Sequence, residues 1–260
     1  MRNILLTLSY DGTDFCGWQR QDKSDGGKPV RTVQGEIESA LEKIHKTHIA
    51  LTGSGRTDSG VHAFRQAANF FSPIDSIPVE RYVPAINAFL PPDIRIVASK
   101  EVGEDFSSRF SATSRTYRYF IHTKNPFASQ MRYVWPIHHE PNLQVLNEMA
   151  ACLRGELDCA AFAAAGDQSL STCRYIEGAR FFRDEKDSDV IVFEICANAF
   201  LWKMVRSLTG SLIFFEKSGK DAAYFKEVLE SKDRSKAGPT APPTGLFLYD
   251  VSFEGERRHV

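Results

Sequence analysis

The chain has 260 residues, 42% hydrophobic and 25% charged, with a formal net charge of −1. This length allows one large or two medium domains, the composition is that of an ordinary globular protein, and the net charge by itself argues against a nucleic-acid binder. With no uncharged apolar run of about 18 residues and no signal-peptide layout in MRNILLTLSYDG, neither a membrane span nor secretion is expected, and a cytoplasmic location is the expectation.

In chain order, Ile4, Leu6, Leu8 and Tyr10 alternate with Leu5, Thr7 and Ser9, predicting a first strand that ends at the turn Asp11-Gly12. A loop follows through GWQRQ to the hydrophilic insert DKSDGGKP. Thr32 then caps a helix with Val33, Ile37, Leu41 and Ile44 on one face. The glycine-rich stretch from Gly53 feeds a second strand over 62–71. Helical spacing at Val79, Tyr82, Val83, Ile86 and Phe89 predicts a helix over 78–90 that Pro84 starts or kinks. Residues 93–102 read as a third strand, and 103–106 as a domain boundary.

The second part repeats this order. Residues 115–123 alternate, with Tyr117, Tyr119 and Ile121 on one face and Arg118, Phe120 and His122 on the other. Leu143 to Leu153 is an amphipathic helix closed by Gly155. Strands over 171–182 and 190–196 flank the polar turn RDEKDSD as a hairpin. A mostly apolar helix covers 200–215, with Lys203, Arg206, Ser207 and Gly210 as its narrow polar stripe; a short helix over 221–231 and a last strand from Gly245 complete the chain. Two β-α-β-α-β runs predict an α+β fold of two ferredoxin-like or RRM-like halves, residues 1–105 and 106–260. They are expected to share a mostly antiparallel sheet, with helices packed on it and a central active-site cleft.

Charge is unevenly spread: residues 1–136 carry 17 Lys and Arg against 14 Asp and Glu, and the remainder 15 against 19. From Phe106 to His139 there is no acidic residue, and Arg109, Arg115, Arg118, Lys124 and Arg132 interleave with aromatics. That pattern suits a phosphate backbone and its bases, and equally a strand-rich core with exposed arginines. Cys16, Cys152, Cys159, Cys173 and Cys196 contain no CxxC pair and are expected to pack as small apolar residues in a reducing compartment. No HExxH or Cys/His cluster occurs, and His45 and His48 fall on an otherwise charged helix flank, so no metal is expected.

The densest cluster of special residues is GSGRTDSGVHA, Gly53 to Ala63. Gly53, Gly55 and Gly60 permit conformations or close approaches that a side chain blocks, so this is a shaped loop. It is not a phosphate-binding P-loop, because Val61 and His62 stand where Lys and Ser or Thr are needed. Nor is it a dinucleotide fingerprint, because Asp58 stands at the third glycine. What remains is a carboxylate, Asp58, presented beside the guanidinium of Arg56; the plain alternative is an Asp that caps its own turn. Arg206, on a mostly buried helix, calls for a carboxylate from elsewhere in the chain, and Asp58 is a candidate; otherwise it reaches water at the helix edge. An opposite charge in a low-dielectric site favours the charged form of a carboxylate.

Six blocks together resemble the TruA-type tRNA pseudouridine synthases: YDGTDFCGWQRQ, RTVQGEIESAL, GSGRTDSGVHA, RFSATSRTYRYFIH, AFLWKMVRSLTG and AGPTAPPTGLFLYDV. The resemblance spans almost the whole length, in the family's order. It departs at Ser59, where alanine is usual, and at LDCAAFAAAG from Leu157, which replaces a His-Asp-Phe pattern. The resemblance implies isomerisation of uridine to pseudouridine at positions 38, 39 and 40 of the tRNA anticodon arm, without cofactor or metal, by a homodimer. It implies that Asp58 is the catalytic aspartate, that Tyr117 packs on the base, and that Arg206 is the basic partner of the aspartate. It further implies that Arg56 helps hold the flipped nucleotide and that Leu246 lies in the block that walls the pocket. Cleavage of a glycosidic bond develops positive charge at C1′, so an ionised carboxylate either adds to that carbon or takes the C2′ proton. The alternatives are a non-catalytic RNA-binding protein on the same scaffold and a hydrolase using Asp58 and His62, for which no triad or metal spacing is present.

Overall fold

The computed structural model describes residues 1–21 and 30–258, so the hydrophilic insert of residues 22–29 lies outside the described residues. Among them are ten strands and five α-helices, an α+β protein in which no helix is long and apolar enough to cross a membrane. Contacts divide the chain into two compact units, Met1–Ala112 with Phe247–Glu254, and Thr113–Leu246 with Gly255–Val260. Within the units, every strand pairing except two is antiparallel.

In the first unit β1 (Arg2–Tyr10) lies between β3 (His62–Ser72) and β4 (Ile94–Val102), antiparallel to both. Ile4, Leu6, Leu8 and Tyr10 are buried in alternation, as a strand with one face on a core requires. β2 (Thr52–Gly53) pairs with β3, and β10 (Leu246–Ser252) runs parallel to it at Phe247↔His62. Helix α1 (Val33–His45) starts as its sequence predicts: the Thr32 hydroxyl accepts from Gly35 N at 3.3 Å, and Val33, Ile37 and Leu41 are fully buried.

Two details differ from expectation. His45 is not on a charged flank: it is buried, with Nδ1 2.9 Å from Leu41 O and Nε2 3.1 Å from Ser72 Oγ, which in turn lies 2.6 Å from Tyr82 OH. The expected helix over 78–90 is shorter, a 3₁₀ turn at Val79–Arg81 followed by α2 (Tyr82–Asn87). Pro84 stands in the first turn of α2, where its missing N–H costs nothing.

In the second unit the strand order is β5 (Ser114–His122), β9 (Val190–Ala197), β8 (Cys173–Arg183) and β7 (Gly155–Asp158), with β6 (Trp135–Pro136) parallel to β5. The expected hairpin is present as β8 and β9. Helix α3 (Leu143–Ala151), capped by Asn142, packs on β8, and α4 (Met204–Lys217) and α5 (Ala222–Ser231) pack on α3. Phe162, Phe215 and Phe225 fill the helical side, with Phe162 and Phe225 stacked 5.6 Å apart.

Helix α4 begins four residues later than its apolar run. The chain from Phe200 turns through Lys203, whose φ of 58° is left-handed, before the helix starts. Its polar stripe is also not solvated: Ser207 and Gly210 are buried, and a β-carbon at Gly210 would stand 1.9 Å from Pro239 O. Of the cysteines only Cys159 is buried. Cys16 is exposed and the other three are half-buried, against the expectation of uniform packing.

Candidate active site

Asp58 sits in the connection between β2 and β3. Its carbonyl accepts from Val61 N at 3.2 Å, closing a turn over Asp58-Ser59-Gly60-Val61 in which Gly60 has a φ of 78°. A left-handed third residue is the signature of a type II turn, and glycine provides it without steric cost. The closing bond uses the Asp58 carbonyl and leaves its carboxylate, half-buried, out of the turn. Arg56 is exposed on the same loop, and Thr57 between them is buried.

The loop is held by the segment that follows β1. Trp18 N donates to Thr57 O at 3.1 Å, Gly60 N to Phe15 O at 3.3 Å, and Ser59 Oγ to Phe15 O at 3.0 Å. Gly17, at a φ of 94°, lies so close that a β-carbon would stand 2.7 Å from Thr57 O; at Gly53 one would stand 2.6 Å from the Trp18 ring. Of the three loop glycines, Gly53 and Gly60 therefore meet a steric need, whereas Gly55 has open space and no left-handed φ. Sequence reasoning missed that residues 10–18 form the cradle of this loop. The available signal was Gly12, Gly17 and Trp18 within one short block, since a β-carbon at Gly12 would also collide with Val61 O, at 1.9 Å.

His62 is no partner for hydrolytic chemistry. It is fully buried, its Nδ1 accepts from Gly12 N at 3.1 Å, and its ring stacks on Phe247 at 4.6 Å. Asp11 Oδ1 lies 3.2 Å from the same nitrogen, but an Nδ1 that accepts carries no proton. That oxygen is taken instead by the N–H and hydroxyl of Thr13, at 3.0 and 2.6 Å.

The second unit gathers Tyr117, Arg206 and Leu246 around β5 and the start of α4. Tyr117, buried on β5, meets Phe200 edge to face at 5.0 Å, just before the turn into α4. Arg206 is half-buried in the first turn of α4. Its Nε donates to Ala241 O at 2.9 Å while its own carbonyl accepts from Ala241 N at 3.1 Å. The segment leading to β10 is thereby fastened along α4. Tyr119, fully buried, donates to Pro242 O at 2.5 Å; burial pushes its hydroxyl well above the ordinary phenol range, and the charge of Arg206 opposes that shift. Leu246 is buried at the end of this segment, next to Gly245, whose φ is 87° and whose carbonyl accepts from Phe120 N at 2.8 Å.

The basic stretch is only in part a surface. Arg118 pairs with Glu194 at 2.6 Å, Lys124 with Asp189 at 2.9 Å, and buried Arg115 donates to Asn198 O at 2.7 Å. Arg109, Phe110, Phe127, Arg132 and Tyr133 remain exposed. Among the described residues no group of three or more His, Cys, Asp or Glu could hold a metal ion.

A family model described as tRNA pseudouridine synthase matches residues 7–111 and 149–254, which include Asp58, Arg206 and Leu246. A protein of Treponema denticola named tRNA pseudouridine synthase A is 56% identical over 253 residues, covering 97% of this chain and 93% of its own. Proteins of the same name from Treponema pallidum and Brachyspira hyodysenteriae are 50% and 39% identical, over 92% and 98% of this chain and 84% and 100% of theirs.

Proposed function

Since the chain belongs to the tRNA pseudouridine synthase family, whose members are isomerases, we propose that it converts uridine to pseudouridine at positions 38, 39 and 40 of the tRNA anticodon stem-loop. One observation carries this reading. The half-buried carboxylate of Asp58 stands on a turn whose neighbours on both sides are tied to a second loop, inside the block matched to the family. A carboxylate held in this way is suited to charge that develops at one carbon.

The reaction breaks the bond from C1′ to N1, turns the base within the site, joins C1′ to C5 and moves the C5 proton. Atoms and electrons balance within the substrate, so no redox partner or group donor is required. Asp58 supplies negative charge at C1′, as nucleophile or as base toward the C2′ proton. A uridine in a stem is reached by turning it out of the stack. Tyr117 takes the base face and keeps the cleaved base from escaping, Arg56 holds the turned-out nucleotide, and Leu246 walls the pocket. Arg206, whose backbone and Nε are both fastened to Ala241, is assigned to substrate binding as a positive charge held in place on α4. The exposed part of the basic stretch, Arg109 and Arg132 with Phe110, Phe127 and Tyr133, faces the phosphates, where shape rather than sequence is read. This reading is favoured over a non-catalytic RNA-binding protein because RNA binding alone does not require the Asp58 turn to be tied at so many points.

Residues 1–105 are assigned as the module carrying the aspartate loop, and 106–260 as the module carrying the tyrosine strand and arginine helix. The working form is a homodimer in the cytoplasm; five unbridged cysteines support a reducing compartment. Incubation with an unmodified tRNA transcript, followed by carbodiimide labelling and primer extension, tests the reading. Stops at positions 38 to 40 are expected with protein and not without it. A transcript that is bound but never modified would favour the non-catalytic alternative.

A further inference from the structure

Behind the Asp58 loop lies a buried polar chain that the reaction itself does not call for. Tyr10, at the end of β1, is 4% exposed, and its hydroxyl lies 2.8 Å from Thr57 Oγ1. Gln66, on β3, is fully buried and spends both ends of its amide on the same loop: Oε1 accepts from Ser54 Oγ at 2.6 Å, and Nε2 donates to Gly55 O at 3.0 Å. Burial keeps the Tyr10 hydroxyl protonated far above the ordinary phenol range, and its contacts with Thr57 and Gln66 offset part of that shift.

Polar groups are costly to bury, and apolar side chains of the same shape would pack this space without that cost. What hydrogen bonds add is direction. Thr57 is held twice, through its hydroxyl by Tyr10 and through its carbonyl by Trp18 N at 3.1 Å. The next residue is Asp58, and the one after it is tied through Ser59 Oγ to Phe15 O. Rotation of the backbone at 57, which would swing the carboxylate, therefore first breaks the contact with Tyr10. Gln66 pins the opposite arm of the loop.

We propose that Tyr10, acting through Thr57, is a positioning residue for Asp58, with Gln66 fixing the other arm at Ser54 and Gly55. The inference rests on the isomerase reading above and adds residues that touch no substrate. A displacement of about 1 Å at a reacting group costs on the order of 100-fold in rate.

The test is steady-state kinetics on tRNA with Tyr10→Phe, Thr57→Val, Thr57→Ser and the Tyr10→Phe/Thr57→Val double variant, with circular dichroism and tRNA affinity measured alongside. Tyr10→Phe and Thr57→Val are each expected to lower kcat about 10- to 100-fold, with KM within about twofold. Thr57→Ser, which keeps the hydroxyl, is expected to stay within about threefold of wild type, and the double variant to fall little below either single, because one contact is lost in all three. Wild-type kcat in both hydroxyl deletions, a loss confined to KM, or multiplying losses in the double variant would overturn the inference. If Tyr10→Phe does not fold, the contrast between Thr57→Ser and Thr57→Val decides alone; loss of fold in both hydroxyl deletions would mean a structural role and also overturn it. A wild-type protein that turns nothing over would instead sink the isomerase reading, and this inference with it.

Discussion

Gly210→Ala sets two physical effects against each other. Gly210 is an interior residue of α4, where alanine is ordinarily more stable than glycine by about 1 kcal/mol. Here a β-carbon would stand 1.9 Å from Pro239 O and 2.8 Å from Ala241 N, both backbone atoms that cannot swing aside. Relieving the collision means moving residues 239–241 away from the helix. That movement strains the two Arg206–Ala241 hydrogen bonds and the bond from Gly238 N to buried Ser211 Oγ at 2.9 Å. Overpacking costs about 1–3 kcal/mol and each lost hydrogen bond about 1 kcal/mol, so with two of the three lost the net expectation after the propensity gain is a loss of roughly 2–4 kcal/mol. At roughly 2–4 °C per kcal/mol for a chain of this size, calorimetry should show a melting temperature lower by roughly 5–15 °C. Gly103→Ala is the control, since nothing lies within 4 Å of its added carbon. A melting temperature for Gly210→Ala at or above that of wild type would refute the reasoning that this close contact fixes residues 239–241 against α4.

Three other outcomes are expected. Gly17→Ala combines a φ of 94° with a β-carbon 2.7 Å from Thr57 O, so it should destabilise by about 2 kcal/mol and lower turnover even well below its melting point; unchanged turnover would separate residues 10–18 from the Asp58 loop. The Asp158 carboxyl is held below the ordinary carboxylate range, first by the Thr172 hydroxyl at 2.6 Å and then by Lys232 at 2.9 Å. A lowered carboxyl adds stability above its unfolded pKa of about 3.9 and loses it as pH falls through the folded value, so Asp158→Asn should flatten the acid-side decline in melting temperature below about pH 4; an unchanged slope would contradict the shift. Native protein treated with Ellman's reagent should react first at exposed Cys16 and not at Cys159, whose buried thiol is pushed up to about 12; rapid labelling of Cys159 before unfolding would be the contrary result.

The parts of the fold that sequence reasoning reached are those whose residues carry their own periodic signal. Ile4, Leu6 and Leu8 alternate because one face of β1 is buried, and Thr32 precedes a helical stripe because the helix needs an N-cap. The pieces it missed depend on partners remote in sequence. Strands β2, β6 and β7 have two to four residues and exist only through their pairing with β3, β5 and β8. The start of α4 was displaced because apolar Phe200 and Leu201 extend its hydrophobic run although the chain there turns through left-handed Lys203. Charge in the basic stretch was visible, but not that Glu194 and Asp189 from the adjacent hairpin would occupy two of its cations.

At the candidate site the glycine framing of Asp58 was readable, because Gly53 and Gly60 meet close contact and positive φ. The cradle was not, because Thr57, Tyr10 and Gln66 look like unremarkable polar residues until the fold buries them together. Likewise, AGPTAPPTG has no periodicity from which its docking along α4 could be anticipated, and Gly210 marks it only once the contact with Pro239 is seen.

The most direct measurement is tritium release from tRNA carrying 5-tritiated uridine, followed under single-turnover conditions for wild type and Asp58→Asn with tRNA affinity determined for both. Release by the wild type and none by the variant, at closely similar affinity, is the predicted result. Comparable release by Asp58→Asn would remove the carboxylate from the chemistry and contradict the assignment of this loop as the catalytic element.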